Sequence, residues 1–89
     1  MLEKEEIKQF LNTVKYPSEM SSKAKPFFLI RKLLDWIPDL WVGYAVIDHE
    51  KAVVVIISEN GGYALYRIDE ENLTLTKVEK ARFLFIIKP

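Results

Sequence analysis

Ala52-Val53-Val54-Val55-Ile56-Ile57 is apolar at every position, and Phe83-Leu84-Phe85-Ile86-Ile87 repeats the pattern near the C-terminus. Strand side chains alternate between two faces, so a strand built from either run is apolar on both. Both faces of the sheet must be dry at those positions. Only two helical stretches precede these runs, and one layer of helices covers one face. The other face needs a different cover, and a second copy of the chain is the expected one.

Around these runs the sequence divides into helices, then strands. Residues 2–15 read as an amphipathic helix, with Ile7, Phe10, Leu11 and Val14 on one face at helical spacing. Glu3, Glu5 and Glu6 fall in its first turn, where the helix dipole favours negative charge. Lys4 and Lys8 face solvent. Tyr16-Pro17 is the expected stop, because the residue before proline avoids helical geometry. Ser18–Ser22 forms a loop. A second helix starts between Ser22 and Pro26, runs to Trp36 or Ile37, and is stopped by Pro38. Its apolar residues wrap most of the circumference, leaving Arg31, Lys32 and Asp35 as a narrow polar stripe. Burial on more than one side is expected, with the first helix against its flank.

From Trp41 the period becomes strand-like. The expected strands are Trp41–Asp48, Ala52–Ser58, Tyr63–Asp69, Leu73–Val78 and Arg82–Ile87. Asp48-His49-Glu50-Lys51 and Asn60-Gly61 read as hairpin turns, the second strongly, since both residues tolerate positive φ. Leu73–Val78 alternates polar and apolar residues, the pattern of an edge or one-sided strand. Short connections favour sequential antiparallel pairing. The fold class is α+β: two N-terminal helices packed on a C-terminal antiparallel β-meander of four to five strands, in a single domain over residues 1–89. In the first strand Gly43 and Ala45 share one face and Val42, Tyr44 and Val46 the other. The small pair is expected to admit a helix closely.

Composition narrows function. Thirteen basic and thirteen acidic residues cancel to zero net charge, which disfavours a dedicated nucleic-acid binder and leaves little charge repulsion between copies. Cysteine is absent, which removes disulfides, thiolate nucleophiles and cysteine-ligated metal sites. The opening Met1-Leu2-Glu3-Lys4-Glu5-Glu6 is acidic rather than a charged-then-apolar leader, and no apolar run is long enough to span a bilayer. The chain reads as cytoplasmic, with a weak thermophile signature in its single glutamine and common Lys, Glu and Ile.

No pattern of side chains points to catalysis or metal binding. His49, the one histidine, falls in a turn without a nucleophile nearby in sequence. The acidic groups at Asp48/Glu50 and at Asp69, Glu70 and Glu71 also fall in turns and lack calcium-loop spacing. Asn60-Gly61-Gly62 lacks the spacing of a phosphate loop. No cofactor, metal or enzymatic role is expected. Trp36 and Trp41 flank Pro38 at the helix-to-sheet corner, as core caps or as the wall of a ligand cleft.

The expected role is a non-enzymatic interaction module that self-associates as a homodimer through its sheet face or an edge strand, with another protein as the other expected partner. The residues assigned to that interface are Tyr44, Val46, Val54, Ile56, Tyr66, Phe83 and Phe85. The alternative is a nucleic-acid-binding or regulatory protein. It would use Lys23 and Lys25 near the second helix start, with Lys77, Lys80 and Arg82 beside aromatic residues.

Overall fold

A computed structural model describes residues 2–79 and the backbone of residues 86–87. Two helices come first, α1 (Lys4–Leu11) and α2 (Lys25–Trp36). The strands follow as β1 (Trp41–Ile47), β2 (Glu50–Glu59), β3 (Gly62–Asp69), β4 (Thr74–Lys77) and β5 (Ile86–Ile87). The arrangement is α+β with the helices N-terminal, as the periodicities predict.

Both helices are set by their ends. At the start of α1 the Glu3 N–H donates to Glu6 Oε1 at 3.2 Å, which satisfies a backbone donor just ahead of the helix. The helix is shorter than expected and stops at Leu11, well before Pro17. There the Thr13 N–H and hydroxyl both donate to the Phe10 carbonyl, at 2.9 and 2.7 Å, and tighten the chain into a turn. Pro26 sits in the first turn of α2, where a missing N–H costs nothing.

The sheet runs β4-β3-β2-β1-β5. Its first four strands form the expected antiparallel meander. Both central hairpins close through two residues in the left-handed region, Asp48 and His49 (φ 49° and 71°), then Asn60 and Gly61 (φ 51° and 79°). This is the type I′ requirement, and it matches the twist of the flanking strands. Glu50 and Lys51, expected in the first turn, instead extend β2. The β3–β4 connection is longer. Asp69 Oδ1 accepts from the N–H groups of Glu71 and Asn72, and the Leu73 N–H donates to the Asp69 carbonyl at 2.7 Å.

Sequential pairing fails at the last strand. β5 lies antiparallel to β1, with Tyr44 opposite Ile87 and Ala45 opposite Ile86. The edges explain it. β4 is short, with Thr74, Thr76 and Lys77 exposed, and makes a harmless edge. β1 has Val42, Ala45 and Ile47 buried, and its outer backbone groups need a partner.

The helices cover the face formed by Val42 and Tyr44 of β1, Val53, Val55 and Ile57 of β2, and Tyr66 and Ile68 of β3. Ile7, Leu11, Leu29, Ile30 and Leu33 fill the core against it. Small residues at 43 and 45 therefore do not receive a helix. They lie on the opposite face, where Ala45, Ile47, Ala52 and Val54 form a second cluster with Leu65 and Val78 packed on it. These four residues are at most 4% exposed within the single chain. A second copy is not needed to dry that part of the sheet. Phe10 stacks on Trp36 with ring centroids 4.5 Å apart, which fixes α1 against the flank of α2 as expected.

Replacing His49 with glycine tests the turn. A β-carbon at φ 71° is strained, whereas glycine is at ease there. His49→Gly should raise stability by up to about 1 kcal/mol, and His49→Val should lower it. Urea unfolding of both variants provides the measurement.

Candidate interaction surface

The seven residues assigned to an interface do not share a face. Tyr44, Val46 and Tyr66 occupy helix-side register positions, while Val54 and Ile56 lie on the other face. Val54 and Tyr66 are core residues, 1% and 3% exposed. Ile56 alone of the five is on the second face and half-buried. Phe83 and Phe85 lie outside the described residues.

The exposed aromatic groups mark a different surface. Trp41 is 54% and Tyr63 70% exposed. In register Trp41 is opposite Ile56, Ile56 is opposite Leu65, and Tyr63 is opposite Ser58, so all belong to one end of the second face. Their positions follow from the strand starts. β1 begins at Trp41, two residues short of the level of Ser58. Beyond it the N-terminal segment takes over the edge of β2, where the Ser58 N–H donates to the Leu2 carbonyl at 2.9 Å and Glu3 bridges Ser58. A pocket of about 240 Å³ opens at this changeover, lined by Leu2, Asp39, Leu40, Trp41, Ile56 and Tyr63 among others.

Phe27, 58% exposed, meets Tyr44 edge to face at 5.2 Å. A groove beside the Phe10–Trp36 stack is bordered by Glu6, Gln9 and Thr13. The two tryptophans flanking Pro38 thus serve different surfaces: Trp36 closes the helix pair, and Trp41 borders the sheet-end pocket.

The polar clusters are structural ties. Tyr16 Oη donates to the Glu70 carbonyl at 2.6 Å, and Lys25 Nζ pairs with Glu71 at 2.8 Å while lying 5.2 Å from the Tyr16 ring centroid. Together they hook the helical layer onto the β3–β4 loop. Burial, with the carboxylates of Glu70, Glu71 and Asp69 nearby, pushes the Tyr16 phenol up to about 12. Hydrogen bonds from the Asn72 backbone and side chain and from the Glu71 N–H hold the Asp69 carboxyl below its ordinary range. At the other tie, Glu59 accepts from Lys77 at 2.5 Å and from the Tyr66 hydroxyl. These bonds lower the Glu59 carboxyl and raise both Lys77 and Tyr66.

The same ties engage two of the basic residues considered for nucleic-acid contact. Lys25 and Lys77 are each paired with a carboxylate, and Lys23 is exposed in the turn before α2. Lys80 and Arg82 lie outside the described residues. A polar pocket of about 360 Å³ between Arg67, Thr74, Thr76 and the acidic Asp69–Glu71 loop has its one cation within 4.0 Å of Glu50. Among the described residues no group of three or more His, Asp or Glu side chains is placed to hold a metal ion. No helix among them is long and apolar enough to cross a membrane. His49 is exposed at its turn. Comparison with protein-family models, curated proteins and solved structures finds no match to the chain.

Tyr16→Phe should remove one phenol that ionises near pH 12 from the ultraviolet titration. Because the folded value is raised, the hydroxyl's contribution is full below the ordinary tyrosine value of 10.0 and is lost as pH climbs through the folded value. At neutral pH the variant should lose about 1 kcal/mol. That corresponds to roughly 4–8 °C in melting temperature for a domain of this size.

Proposed function

We propose that this chain is a non-enzymatic interaction module that self-associates through the Trp41–Ile56–Tyr63 end of its sheet. The observation that carries the reading is the exposure of two large aromatic side chains at one end of the sheet, 54% and 70%, beside the half-buried Ile56. Aromatic side chains give large contact area at low entropic cost and dominate contact energetics. Among the described residues, Ile56 is the one member of the sequence-based interface set that remains on this surface. Zero net charge leaves two copies without long-range repulsion. A face-to-face contact about a two-fold axis would place the same residues on both sides. The placement of Lys25 and Lys77 in ion pairs favours this reading over nucleic-acid binding, since their charge is already balanced.

Native mass spectrometry and sedimentation of the untagged protein test it. The native protein should show a doubled mass. Tyr63→Ser should weaken the dimer about thirtyfold if the ring is a hot spot, with stability changed by about 0.5 kcal/mol or less. A monomer throughout would overturn self-association, and a dimer indifferent to Tyr63→Ser would overturn this surface. Val54→Asp should behave differently. It places a carboxylate in the core and should unfold the monomer, costing about 3 kcal/mol or more, rather than release a folded one.

A further inference from the structure

We infer that Glu59 positions the docking surface: its carboxylate braces the β2–β3 hairpin tip that carries Tyr63, and neutralising that carboxylate releases the tip. This rests on the reading of the sheet end as the site of self-association. The register shows why a brace is needed. β1 pairs with β2 only as far as Ile56, opposite Trp41. β4 and the residue after it reach no further along β3 than Leu65, whose carbonyl accepts from the Val78 N–H at 2.9 Å. Among the described residues, 57–64 therefore overhang both neighbouring strands. Asn60, Gly61, Gly62 and Tyr63 at the end of the overhang are exposed. A two-stranded ribbon without neighbours is only marginally stable, so the setting of Tyr63 depends on what holds this tip.

Two supports hold it. On the outer edge of β2 the Ser58 N–H donates to the Leu2 carbonyl. The second is Glu59, the one charged residue within 57–64. Its carboxylate reaches past β3 to Lys77 Nζ on β4, at 2.5 Å, and accepts from the Tyr66 hydroxyl on β3 between them. Tyr66 is a core residue and gives the brace a fixed anchor. Lys4 at the start of α1 stands 5.8 Å from the Tyr66 ring centroid, and its charge also favours the ionised Glu59. Glu79, after β4, is the opposing acidic group, acting on Lys77 and Tyr66. Three elements thus converge on one carboxylate at the root of the tip. Ionised, it makes charge-assisted bonds to both partners; neutral, it loses the ion pair. Lys77 first and Tyr66 second hold the carboxyl below its ordinary value of 4.5. The brace is therefore complete above that value and is lost as pH falls through the folded value.

Amide hydrogen exchange at neutral pH, read residue by residue, tests the brace in the native protein, Glu59→Gln, Lys77→Gln and Lys77→Arg. Glu59→Gln and Lys77→Gln should each speed exchange at Glu59, Gly62 and Ala64 about fivefold, while Val53 and Val55 in the middle of β2 keep their native rates. Lys77→Arg keeps a cation and should behave as the native protein does. On acidification the Gly62 and Tyr63 resonances of the native protein should titrate with a midpoint below 4.5, and those of Glu59→Gln should not. Native exchange at the tip of Glu59→Gln, faster exchange spread evenly over the sheet, or an acid titration that survives the substitution would each overturn the inference. Sedimentation of the same proteins separates it from the dimer reading. A native protein that is a monomer overturns self-association while the exchange result still decides the brace. A dimer as tight in Glu59→Gln as in the native protein overturns the role of Glu59 in docking alone.

Discussion

The structure depends on β2 being buried on both sides. Val53, Val55 and Ile57 face the helices, and Ala52 and Val54 face the second cluster. Each fully buried Val or Ile contributes about 1.5–3 kcal/mol before the cost of ordering the chain. Everything else is placed relative to this strand. β1 and β3 flank it through tight hairpins, the N-terminal segment joins its edge at Ser58, and both helices cross one of its faces.

Around that strand the polar contacts chiefly position the layers, and of them the Tyr16 hydroxyl bond also adds stability. Tyr16 and Lys25 tie the helical layer to the β3–β4 loop, and Glu59 ties β4 to the end of β2. Exposed ion pairs of this kind are worth little individually. Their effect is to hold the layers in register, so that the far end of the sheet offers its aromatic residues from a fixed frame. A surface that must recognise a partner benefits from being ordered before contact.

Much of the fold was legible in the sequence. Helical spacing located Ile7 and Leu11 in the core, and Asn60-Gly61 announced its hairpin. The alternation in Leu73–Val78 announced an edge strand. The site was less legible. A period of two states which residues share a face, but not which face the helices will choose. Val54 and Tyr66 consequently passed for interface residues while belonging to the core, and Trp41 and Tyr63 were not grouped. The available signal was that Trp41 and Ile56 begin and nearly end neighbouring strands of one hairpin, which brings them level. Leu73 at positive φ gave no warning, because leucine does not favour that region, whereas Asp48 and His49 belong to residue types enriched there.

The sequence by itself determined the elements, their order and the tight turns, because periodicity, proline and turn chemistry act over a few residues. Tertiary structure alone decided three matters: the sheet face taken by the helices, the place of β5 beside β1, and the meeting of Leu2, Asp39 and Tyr63 around one pocket. Each joins residues far apart in the chain. Such meetings are set by which surfaces must be buried and which backbone edges must be paired, and no local pattern records them.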